Sequence, residues 1–200
     1  MTGPTVHTLA SRQVYANQWM TVREDDVRHA DGGRGRYGVV DKPDFALIVP
    51  RDEGRLHLVE QYRYPVGGRY WEFPQGSWPT RDHDPTPPVD LARNELREET
   101  GMQAEQMTYL GRVHVAYGYA NQGCHVFLAE RLRLGRPQRE STESDMRQRW
   151  VDTGEFHQMV RSGLVTDAAT LAAVTLVALW DDGALRPGPS APGDEGGQCP

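Results

Sequence analysis

The sequence predicts a single α/β domain entered through an N-terminal β-hairpin. Three observations carry that reading. Short strand-type segments bounded by Gly, Pro and Asp fill the first third of the chain and return after residue 102. Between them lies one charged helical stretch, and two more helical stretches close the sequence. Finally, 200 residues with 38% hydrophobic and 25% charged content suit one soluble globular domain with a tail.

The elements follow in order. Residues 1–12 hold no apolar run and read as a flexible N-terminus without a signal peptide. Residues 13–28 alternate loosely as a strand anchored by Trp19 and Val22. Asp31-Gly32-Gly33 is a turn signal, and Tyr37 to Val40 returns as the partner strand. Ala46 to Val49 is a short buried-type strand, Arg55 to Tyr62 alternates at Leu56 and Leu58, and Tyr70 to Phe73 is another strand. After the charged helix come strands at about Thr108 to Tyr117, His125 to Glu130 and Arg149 to Asp152. Thr153 caps a helix that Gly163 ends. Asp167 starts a last helix to about Trp180, apolar nearly all round and therefore buried in the core or at a partner. Residues 182–200, rich in Gly, Pro and Ser, read as a disordered tail, which leaves a domain over 13–181 with its N-terminal strands in 13–40.

Several function classes are excluded by composition. A net charge of −6 leaves no basic footprint for duplex nucleic acid, and any phosphate substrate then needs local arginines. The stretch Ala168 to Trp180 is too short to span a bilayer. Cys124 and Cys199 lack metal spacing and fit a cytoplasmic protein with free thiols. The glycine-rich run 31–38 lacks the lysine of a phosphate loop.

The strongest chemical signal is Leu91-Ala-Arg-Asn-Glu-Leu-Arg-Glu-Glu-Thr-Gly-Met102. Glu95, Glu98 and Glu99 stand at i, i+3 and i+4, so a helix places three carboxylates on one side. Three clustered anions repel unless a cation sits among them, and hard oxygen donors suit Mg²⁺ or Mn²⁺. Arg93 and Arg97 can instead balance the charge on a solvated helix face. Upstream, Trp71-Glu-Phe-Pro-Gln-Gly76 reads as an aromatic strand end and a Pro/Gly break.

Gly76 followed by Glu95-Leu-Arg-Glu-Glu-Thr-Gly-Met102 resembles the box of the Nudix hydrolases, here 76–102: a glycine, five residues, a glutamate, seven residues, then Arg-Glu-apolar-any-Glu-Glu-any-Gly-apolar. The second half matches from Glu95 onward. The first half departs: Asn94 stands at the arginine and Thr86 at the first glutamate, and four extra residues separate Gly76 from the helix. Leu58-Val-Glu-Gln-Tyr-Arg-Tyr-Pro-Val66, Trp71-Glu-Phe-Pro74 and Gly163-Leu-Val-Thr-Asp-Ala-Ala-Thr-Leu-Ala-Ala173 resemble the ADP-ribose and nucleotide-sugar pyrophosphatase branch.

The resemblance implies the Nudix fold, a mixed β-sheet sandwiched between α-helices. It also implies a metal-dependent hydrolase that splits the diphosphate linkage of ADP-ribose or an ADP-sugar. Its Mg²⁺ (or Mn²⁺) would be held by Glu95, Glu99, the backbone carbonyl of Gln75, and Glu98 as third ligand or water-orienting group. Arg63 would grip the diphosphate, with Tyr62 beside it. A catalytic base would come from the polar loop after the box, Glu143 first and Glu140 second, while Asp145 caps or turns the loop. Tyr117 and Tyr119 would share one strand face, where they either stack on a base or belong to the core. A homodimer through N-terminal strands is also implied. Two other readings stay open: a dinucleoside polyphosphate or RNA 5′-pyrophosphohydrolase, suggested by the aromatic-Pro-Gln-Gly run, and a non-catalytic nucleotide-sugar binding module, suggested by Asn94 and Thr86.

Overall fold

The computed structural model describes residues 5–78, 86–138 and 145–186. In chain order the elements are β1 (Val6–Ala16), β2 (Thr21–His29), β3 (Arg34–Asp41), β4 (Phe45–Asp52), β5 (Arg55–Arg63), β6 (Gly68–Glu72), β7 (Gln75–Ser77), α1 (Pro88–Glu95), β8 (Gln103–His114), β9 (Gly123–Arg133), β10 (Arg147–Val151), α2 (Thr153–Arg161) and α3 (Ala168–Asp181).

The uninterrupted apolar run Phe45-Ala-Leu-Ile-Val-Pro50 makes β4 the centre, because a strand buried on both faces cannot alternate. It pairs in parallel with β9, Ala46 opposite His125 and Leu47 opposite Val126. It turns into β5 through Glu53-Gly54, both at positive φ (48° and 75°), the conformation a two-residue hairpin loop demands. The main sheet runs β10-β5-β4-β9-β8, with β6 on β5 and β7 on β4. Leu47, Val49, Leu58, Phe73, Val126 and Leu128 pack one face against α2 and α3 through Phe156, Met159, Ala169 and Ala173. Ala46, Ile48, Phe127 and Ala129 pack the other against Leu91, Ala92 and Leu96 around α1. Each large buried aliphatic side chain contributes roughly 1.5–3 kcal/mol. The mixed sheet thus lies between helices, as the sequence predicts.

Three boundaries differ from expectation. The segment 13–28 is two strands, because the Asn17 side chain accepts the backbone N–H groups of Trp19 and Met20, both at 2.9 Å, and folds the chain back. Trp19 is no anchor but 65% exposed. The first strand also starts at Val6, within the segment read as flexible, so the expected N-terminal hairpin is present as part of a separate three-stranded antiparallel sheet, β1-β2-β3. That strand was hidden in the sequence because β1 is exposed along nearly its whole length, so no face needed an apolar alternation. At α2 the cap is Asp152, whose carboxylate accepts the Glu155 N–H at 2.7 Å, rather than Thr153. Asp167 caps α3 through Thr170 as expected. The inner side of α3 meets the core at Ala169, Ala173 and Val177, while Leu171 and Leu179 face outward. Among the described residues no helix is long and apolar enough to cross a membrane.

Candidate active site

The box begins as α1 and changes winding at Glu95. Leu96–Thr100 continue as a wider π-type turn, which is closed by Gly101 at φ 79° with its N–H on the Arg97 carbonyl. Glycine is required there twice over, since a Cβ would also lie 2.7 Å from the backbone of Gly135, Arg136 and Pro137. The Gln138 N–H donates to the Glu98 carbonyl at 2.9 Å and ties the segment after β9 to this turn. Thr100, fully buried, donates to the Leu96 carbonyl and accepts the Met102 N–H.

Two of the three box carboxylates meet the β7 backbone. Glu99 is 1% exposed, and its Oε2 accepts the Gln75 N–H at 3.3 Å. The carboxylate of Glu95 fills the space where a side chain on residue 76 would begin, so any Cβ at Gly76 would overlap it. The pairing of β7 with β4, Ala46 opposite Gly76 and Leu47 opposite Gln75, delivers that backbone to the helix. Glu98 lies in the same turn. Its side chain is partly exposed, with Arg97 Nη2 at 3.5 Å, and among the described residues no group of three or more His, Cys, Asp or Glu is arranged to hold an ion. Two carboxylates and a neighbouring backbone carbonyl still suit a small divalent ion, which commonly takes one or two protein carboxylates and keeps several waters.

Beside this turn lies a cavity of about 410 Å³, lined by Arg63, Val66, Tyr70, Glu72, Gln75 and Asp167 among others. Arg63 ends β5 and Glu72 ends β6, two strands joined by a 3-10 turn and Gly67 at φ 63°. Arg63 Nε donates to Glu72 Oε2 at 3.1 Å, its Nη2 donates to Oε1, and Gln61 Nε2 reaches Oε1 at 2.7 Å. Glu72 is 2% exposed. Burial raises its carboxyl above the ordinary range, against the charge and hydrogen bonds of Arg63. Gln75 belongs to both halves: its N–H holds Glu99, and the residue lines the cavity.

The remaining expectations fare differently. Tyr62 is half exposed and does not line the cavity, because strand alternation turns it away from the face that carries Gln61 and Arg63. Tyr117 and Tyr119 are not on a strand: β8 ends at His114, and both sit 85% and 62% exposed in a turn, so neither is core. That turn is held by the Val40 N–H on the Tyr119 carbonyl, 2.7 Å. Glu140 and Glu143 lie outside the described residues. Asp145 pairs with Arg69 (2.5 Å), which also holds Glu60 (3.0 Å). Arg93 donates to the Ala104 carbonyl at 2.7 Å and so braces β8. Cys124 is buried, and burial pushes its thiol up, which suits no nucleophile.

Sequence reasoning missed Glu72 and Asp167. Glu72 carried a signal, a carboxylate inside an aromatic strand that reads as buried, but only the fold places it, opposite Val59, on the sheet face from which the Arg63 side chain reaches it.

Comparison with known proteins supports the same assignment. Residues 41–171 match the NUDIX domain, and residues 6–40 match the nucleoside diphosphate sugar hydrolase N-terminal domain. An ADP-ribose pyrophosphatase of Mycobacterium tuberculosis is 33% identical over 184 residues, covering 91% of this chain and 87% of the relative. An ADP-ribose pyrophosphatase of Bacillus subtilis is 29% identical, with 86% and 92% covered. A crystal structure titled as an ADP compounds hydrolase superposes with a TM-score of 0.77 at 20% identity, over 92% of this chain and 98% of that one, and supports the fold.

Proposed function

Because this chain belongs to the NUDIX family, we propose that it hydrolyses the diphosphate linkage of ADP-ribose or an ADP-sugar, giving AMP and a sugar phosphate. It is a Nudix pyrophosphohydrolase that acts on a nucleoside diphosphate derivative. The observation that carries the finer reading is the meeting of Glu95 and Glu99 at Gln75–Gly76 on the edge of a cavity that contains a braced arginine. Glu95, Glu99 and the Gln75 carbonyl would hold Mg²⁺ or Mn²⁺, which when bound acidifies water and spreads charge on the departing phosphate. Arg63 grips the diphosphate through its outward N–H groups. A glutamate of the loop after β9, Glu143 before Glu140, accepts the proton of the attacking water. Glu98, with Arg97 Nη2 at 3.5 Å, serves as a water-orienting group rather than a ligand.

The reading as a binding module is set aside. The NUDIX domain and the ADP-ribose pyrophosphatase relatives support an enzyme, and the two residues that motivated the binding reading, Asn94 and Thr86, are both exposed. A homodimer in the cytoplasm completes the proposal. Leu9, Val14, Tyr15 and Trp19 leave an exposed apolar surface on β1 and the turn after it, suited to a second copy.

The test is product analysis with Mg²⁺ or Mn²⁺ over ADP-ribose, ADP-glucose, GDP-mannose, a dinucleoside tetraphosphate and 5′-triphosphorylated RNA. AMP release from ADP-ribose or ADP-glucose, abolished by chelation, is the expected result. Turnover confined to the tetraphosphate or RNA would overturn the substrate assignment. Size exclusion checks the dimer.

A further inference from the structure

The mechanism above uses Arg63 but gives no part to the carboxylate that grips it. We infer that Glu72 is a positioning residue that presents the Arg63 guanidinium to the diphosphate; the inference rests on the proposed role of Arg63.

A guanidinium has five N–H donors in a rigid fork. Glu72 takes one from Nε and one from Nη2. The fork is planar, so fixing that edge fixes the orientation of the three donors left. These are the donors available to a phosphate in the cavity that Arg63 and Glu72 both line. Glu72 cannot yield, being itself pinned by Gln61 at 2.7 Å and closed off from solvent at 2% exposure, whereas the Arg63 side chain is 39% exposed. A half-exposed arginine without such a clamp would sample several rotamers and would lose that freedom on binding. The arrangement is dearly held, since burial disfavours the Glu72 anion. A surface ion pair of Arg63 with an exposed acid would avoid that cost, yet would leave the fork unaimed.

Calorimetric titration of ADP-ribose in the presence of EDTA reads the clamp without turnover. The set is wild type, Glu72→Gln, Arg63→Gln and the double variant, with thermal melting on each. Glutamine keeps the size of Glu72 and removes the charge that burial opposes, so Glu72→Gln melts near wild type. Its affinity falls about tenfold, that of Arg63→Gln by more, and the double variant matches Arg63→Gln, because the clamp acts only through the arginine. With Mg²⁺, Glu72→Gln raises KM by the same factor and leaves kcat within about twofold. Unchanged affinity in Glu72→Gln overturns the inference. So does a double variant that falls by the full product of the single effects. Wild-type protein that fails to bind ADP-ribose, or Arg63→Gln that binds like wild type, overturns the underlying substrate or Arg63 assignment and the inference with it.

Discussion

The two halves of the site each bury a glutamate, and they do so by different means. In the box half, Glu99 is delivered by a turn only a few residues long and meets the backbone N–H of Gln75. In the cavity half, Glu72 meets the side chains of Arg63 and Gln61, and Asp167 arrives from the start of α3, nearly a hundred residues on. The contrast separates two design problems. On the proposed reading, the groups that would meet ions sit on one short motif, whereas those that would recognise the substrate are gathered from distant strands and a helix end.

The most severe break of the box half is Glu99→Gln. It removes a proposed ligand without changing shape, and kcat should fall by about 10²–10³-fold, measured by AMP release at saturating substrate. Retained turnover would place the chemistry elsewhere. Gly76→Ala comes next. Its methyl would displace the Glu95 carboxylate, and a shift of this kind should cost about 10²-fold in rate. Melting should move far less than activity, and parallel losses would instead mark a folding defect.

The cavity half breaks more gently. Thr170, fully buried at the start of α3, accepts the Phe73 N–H at 3.2 Å and joins the helix to the end of β6. Thr170→Val leaves that N–H unsatisfied, at about 1–3 kcal/mol of stability by denaturant titration, while kcat changes little. An unchanged unfolding midpoint would remove Thr170 from the account.

The smallest effect sharpens the comparison at the strand that serves both halves. Asp44, just before β4, accepts the Gly123 N–H at 2.7 Å and both Arg112 Nε and Nη2, with His125 Nε2 at 3.3 Å. Burial pushes its carboxyl up, but His125, Arg112 and Gly123 together hold it well below the ordinary carboxylate range. A depressed folded value means a contribution fully present above about pH 4 and lost as pH falls below it. Asp44→Asn should therefore cost about 1–2 kcal/mol at pH 7, and that cost should shrink steadily as pH falls below about 4. A cost independent of pH would contradict the ion pairs.

Much of the box half was legible in the sequence. Gly101 closing a charged helix is a local necessity and holds, and Gly76, which opens the motif, also stands where only glycine fits. Tyr117 and Tyr119 were misread because alternation does not say where a strand stops. The segment before residue 13 was missed because an exposed strand leaves no hydrophobic period.

By itself, then, the sequence determined the elements whose causes are short-range: the apolar run of β4, the glycine-closed box turn, the Asp167 cap, and the acidic residues at fixed spacing. Tertiary structure alone decided that Glu95 and Glu99 meet at Gln75–Gly76 and that Glu72 holds Arg63. Strand register underlies both: it carries the β7 backbone at Gly76 to Glu95 and sets Glu72, opposite Val59, on the face from which Arg63 reaches it, and register follows from burial across the whole sheet rather than from any neighbouring residues.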